Sequence, residues 1–196
     1  MIAKAMQFMN SSLDQFLRNR YGLDESKVVL NNLIDSDGSI PTINQNKLVI
    51  SLINIEKETS KAFYTHNKKL TNGNFSDVNP SERYNLIILI SSNFDDYAET
   101  LKFLNTVILY FQANPVLDAN TSSNIPSGLT KLEFEVEKIG YHQMQGLWTA
   151  MGAKYQPSII YKMRLITIQA NETDGFIPAV RQYSNKVNPL QYEKQL

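Results

Sequence analysis

The sequence predicts an α+β domain. Apolar residues recur at helical spacing over residues 2–21 and 94–113, and short apolar or alternating runs occupy 47–55, 84–91, 132–136 and 158–168. Stretches rich in Asn, Gly and Pro separate them, as turns and loops require. With 196 residues, 42% hydrophobic and 19% charged, the chain is long and apolar enough to bury a core.

In chain order, the first helix places Ile2, Ala5, Met6, Met9, Leu13, Phe16 and Leu17 on one face. Phe8 falls off that face and reads either as a singly exposed aromatic or as a subunit contact. A strand follows over 27–34, then a turn at Asp35-Ser36-Asp37-Gly38. That turn lacks the third acidic position and the closing glutamate of a calcium loop. Residues 47–55 are apolar on both sides, Leu48, Ile50 and Leu52 against Val49, Ile53 and Ile55, which predicts a central strand covered on both faces. Residues 84–91 share that character, and the polar stretch 67–83 between them reads as a long loop.

The long helix is expected over 94–113, with Asn93 as N-cap and Pro115 as its stop. Phe94, Tyr97, Leu101, Leu104, Ile108 and Phe111 form its main apolar stripe, and Phe103, Val107 and Tyr110 a second one opposite. A helix apolar on two sides is either sandwiched within the fold or offers one side to a partner. Residues 116–130 read as a loop. In the strand 132–136, Leu132, Phe134 and Val136 alternate with Glu133, Glu135 and Glu137. A short helix over 142–151, ended by Gly152, precedes a strand over 158–168 that carries Lys162 and Arg164 on one side. If those two strands are neighbours, their charges pair across the sheet. After Gln169 the pattern dissolves. One domain over residues 1–168 is therefore expected, with a C-terminal arm over 169–196.

Composition narrows the function. Acidic and basic side chains balance at 19 each, which leaves no basic excess for nucleic acid. The absence of cysteine removes disulfides, thiolate catalysis and cysteine-held zinc. The N-terminus has no unbroken apolar leader, and the longest apolar run, 86–90, is far too short to span a membrane, so the chain is expected to be made in the cytoplasm. No nucleophile elbow, phosphate loop or dinucleotide fingerprint is present, and His66 and His142 are the two histidines, neither in a metal-spaced motif. Asp95 and Asp96 suit a helix N-terminus and need no acid–base role. Nothing in these patterns points to catalytic residues, a cofactor or a metal, and an enzyme is not expected.

The densest signal lies over residues 147–161. Leu147, the sole tryptophan Trp148, Ala150, Met151, Gly152, Tyr155, Pro157, Ser158 and Tyr161 form a helix–turn–strand corner. This motif resembles a signature of the tail-terminator, or cap, proteins of antifeeding-prophage-like extracellular contractile injection systems. The resemblance spans roughly residues 1–168; the stretch 56–83 and the tail depart from it. It implies a mixed β-sheet flanked by helices, like that of phage tail terminators. It also implies a homohexameric ring that binds the distal end of the inner tube and sheath, stops their polymerisation, and leaves the cell within a phage tail-like particle. A baseplate or tube-adaptor subunit of the same particle, or a small ligand-binding or hydrolase domain, are the competing readings. Candidate contacts for a ring are Phe8, Phe103, Val107 and Tyr110 on the helices and Phe176, Ile177, Tyr183, Leu190 and Tyr192 on the arm.

Overall fold

A computed structural model describes residues 1–58, 67–71, 74–78, 82–119, 124–168 and 173–178. The chain divides into two units, residues 1–62 with 81–168, and residues 63–80 with 169–196.

The first unit is built on a six-stranded sheet whose strands, in spatial order, are β1 (Val28–Leu30), β2 (Lys47–Lys57), β5 (Glu82–Asn93), β8 (Ser158–Ile168), β7 (Lys131–Val136) and β6 (Val116–Asp118). β1 runs parallel to β2, and every other neighbouring pair is antiparallel, so the sheet is mixed. The central strands are apolar on both sides because both sides are covered. Leu48, Ile50, Leu86, Ile88, Ile90, Tyr161 and Met163 face a layer made by α1 (Ile2–Tyr21) and α2 (Tyr97–Ala113). Val49, Ile87, Leu89 and Ile160 face the opposite way, toward α3 (Tyr141–Ala150). The far end of β2 is different, with Leu52 and Ile55 exposed.

Each helix end has a chemical cause. α1 stops at Gly22, whose φ of 63° suits a residue without a Cβ, and the Leu23 N–H reaches back to the Arg18 carbonyl. α2 starts at Tyr97, later than the sequence suggests. Its N-cap is Asp96, whose carboxylate accepts from the Ala98 N–H at 2.9 Å, and Asn93 instead ends β5. α3 opens with the Gln143 side chain accepting from the Gly140 N–H at 2.8 Å.

Other expectations need correction. The strand predicted over 27–34 has only three residues. The predicted loop 116–130 begins with strand β6, which lengthens the sheet beyond β7. The predicted loop 67–83 contains β3 (Asn67–Thr71) and β4 (Asn74–Val78). These pair antiparallel, and β4 pairs with β9 (Thr173–Pro178), forming the three-stranded sheet of the second unit. Among the described residues, the stretch after Gln169 carries one regular element, β9.

Candidate functional site

The motif residues converge on the corner between α3 and β8. Trp148 is buried against Val49, Leu89 and Ile160 of the sheet, with Leu147 and Met151 packed beside it. Gly152 takes the left-handed conformation, φ 68°, just past the helix. The Ala153 N–H then reaches the Trp148 carbonyl and the Gly152 N–H the Thr149 carbonyl, which satisfies the last turn of α3. The returning chain lays the Tyr155 ring edge-on to Trp148. Gln156 Nε2 donates to Asn93 Oδ1 at 3.1 Å, and the Pro157 carbonyl accepts from the Ser92 N–H at 3.0 Å. Ser158 opens β8 opposite Ser91, while Tyr161 enters the core on the other side of the sheet. Ala150 is exposed on the outer face of α3. The corner packs the helix against the sheet, and of its large aromatic side chains Tyr155 and Tyr141 stand out, 66% and 83% exposed.

On α2 the two apolar stripes exchange the roles expected of them. Phe103, Val107 and Tyr110 are buried in the chain's own core, and of the three only Tyr110 also lines a groove along α1. Phe8 is buried in the same cluster and is not the singly exposed aromatic expected, and on the same helix the Phe16 ring sits 5.1 Å from Tyr110 of α2. The stripe expected to face the core instead faces outward: Tyr97, Leu101 and Ile108 are exposed, Leu109 joins them, and Leu104 is half-buried. Phe111 of that stripe is buried, between Phe134 and Tyr161. Of the arm residues, Phe176 and Ile177 lie on β9, opposite Ser76 and Phe75 of β4. Tyr183, Leu190 and Tyr192 lie outside the described residues, as does His66. His142 is exposed on α3.

The strand charges meet as the alternation predicts. β7 lies beside β8, with Glu133 opposite Arg164 and Glu135 opposite Lys162. Arg164 bonds Glu135 at 2.6 Å, and Lys162 lies 3.2 Å from Glu56 and 3.3 Å from Glu137. Burial pulls the Lys162 pKa down, but the bonds and charges of Glu56 and Glu137 outweigh it and leave the ammonium held above its ordinary value.

A second feature was not legible as a site. α1, α2 and the segment after β6 enclose an open groove of about 810 Å³. Its wall carries Gln7, Ser11, Gln15 and Asn19, all exposed and spaced four apart along α1, and its floor includes Phe8, Phe16 and Tyr110. The residues that line it include no carboxylate and no imidazole, and Lys4 is their one ionisable cation. Among the described residues, no group of His, Asp and Glu has the arrangement to hold a metal ion. Also among the described residues, no helix is long and apolar enough to cross a membrane.

The family model described as the Pvc16 N-terminal domain matches residues 8–182. No curated protein matches the chain. The sheath/tube terminator of the PVC extracellular contractile injection system, in its extended state, superposes with a TM-score of 0.59 at 14% identity, covering 95% of this chain and 64% of that one. The tube-terminating cap of the anti-feeding prophage gives 0.55 at 13% identity, covering 92% and 61%. The chain thus spans less than two-thirds of the length of either structure, at 64% and 61%. The likeness is one of fold: a mixed sheet flanked by helices, as the motif implied.

Proposed function

Because the chain belongs to the Pvc16 N-terminal domain family, we propose that it is a structural cap that binds the end of the tube and sheath of a contractile injection particle and terminates their growth. The observation that carries this reading is the fold match over 95% of the chain to a sheath/tube terminator. A repeating tube has no intrinsic end, so its length needs a subunit that fits the last ring and offers nothing to the next. In this reading residues 1–168 hold the capping domain, and the part of the 169–196 arm beyond β9, which pairs with β4 of its own chain, docks on a neighbouring copy. The subunits close into a homohexameric ring by heterologous contacts, and the outward stripe of Tyr97, Leu101 and Ile108 supplies apolar surface for them. The cap acts by binding and not by catalysis, assembles in the cytoplasm, and leaves with the particle. Electron microscopy of particles from cells lacking the gene tests it. Particles of irregular or excessive length, or with prematurely contracted sheaths, are expected; uniform particles of normal length would reject the assignment.

A further inference from the structure

The groove along α1 has the dimensions and chemistry of a peptide-binding site. Gln7, Ser11, Gln15 and Asn19 form one row on the helix surface. From Gln7 to Asn19 is twelve helical steps, or roughly 18 Å at the rise of an α-helix. Amides and hydroxyls both donate and accept, which matches the alternating donors and acceptors of an extended backbone. The aromatic floor suits apolar anchors, and the near absence of charge disfavours an ionised ligand.

One segment of the chain fits this description. Residues 187–192, Val-Asn-Pro-Leu-Gln-Tyr, form an uncharged run between Lys186 and Glu193. Extended, six residues reach about 19 Å, close to the length of the row, at roughly 3.1–3.3 Å each. A proline such as Pro189 fixes its own φ and disfavours the helical region at the residue before it, so a run that contains one has less entropy to lose on docking in extended form. Val187, Leu190 and Tyr192 are apolar anchors, and Asn188 and Gln191 add amides like those of the groove wall.

We propose that residues 187–192 of one copy occupy the α1 groove of a second copy. This deepens the ring reading above and rests on it: a tail seated on the next subunit is a heterologous contact that can close. The chain contains no cysteine, so introduced thiols report contacts without background. Full-length Ser11→Cys and Leu190→Cys proteins, distinguishably tagged, are mixed and mildly oxidised. A mixed disulfide is expected in yield about tenfold above that of Lys138→Cys with Leu190→Cys, because docking raises the effective thiol concentration. An untagged peptide of residues 184–194 should reduce that yield. A yield equal to the Lys138→Cys control overturns the proposal. So does cross-linking confined to single chains in a doubly substituted protein. If the adduct is absent while gene loss still yields particles of irregular length, tail docking falls and the cap assignment stands.

Discussion

The ring of Trp148 lies 5.5 Å from that of Tyr155 and at 60° to it, so that an exposed tyrosine covers a buried indole across a helix end. The contact depends on Gly152. Its φ of 68° turns the chain back over Trp148, and a Cβ there would meet no other atom within 4 Å.

Trp148→Ala should cost about 3–5 kcal/mol, because it empties the contact between α3 and the sheet. Gly152→Ala should cost only about 1–2 kcal/mol, since its penalty is backbone strain without a clash. Urea unfolding measures both. A loss below about 1 kcal/mol for Trp148→Ala would show that α3 is not anchored through the indole.

The two faces of α2 should respond oppositely to charge. Val107→Asp should unfold the chain, since Val107 is fully buried. Leu101→Asp and Ile108→Asp should leave thermal unfolding within about 2 °C of the parent, as exposed substitutions do. In the proposed ring the same two substitutions weaken assembly, read by light scattering. Unfolding by Ile108→Asp would mean that the outward stripe is needed within the chain.

Alkaline pH should destabilise the fold. Burial raises the Tyr110 and Tyr161 phenols from 10.0 to about 12, a hydrogen bond with Ser12 partly offsetting the rise at Tyr110. Below about pH 10 both states keep these protons, and the stabilisation is fully present. Between about pH 10 and 12 the unfolded chain releases them first, and stability falls by up to about 1.4 kcal/mol per pH unit for each group. Lys162, also raised, acts in the same direction. Tyr161→Phe removes one of these groups and should flatten the decline between about pH 10 and 12, measured by urea midpoints. An unchanged slope would rule out Tyr161 as a contributor.

Where side chains repeat at a fixed period, the sequence was a reliable guide. Lys162 and Arg164 alternate on β8 as Glu133 and Glu135 do on β7, and the strands meet as neighbours. α2 misled because its buried face contains polar residues. Thr100 and Thr106 are buried there with their hydroxyls bonded to the Asp96 and Lys102 carbonyls one turn back, which removes the usual penalty. An apolar count then favoured the wrong stripe. β3 and β4 are polar and read as loop, yet Asn72-Gly73 between them is a hairpin signal. The groove escaped notice because Gln7, Ser11, Gln15 and Asn19 look like the wet side of any amphipathic helix. Only the placement of α2 and the segment after β6 makes that row a wall.

The outer strands of the six-stranded sheet, β1 and β6, have three residues each, against eleven and twelve in β2 and β5. A long bare edge is a template on which almost any extended chain can crystallise, because main-chain groups are common to all sequences. This sheet tapers to stubs at both margins. Beyond β1 and β6 an added strand finds only three residues of regular backbone to pair with, so recognition at those two margins falls to side chains, which discriminate where backbone does not. In the proposed cap, which would join a given partner and then halt, margins this short are themselves a form of selectivity.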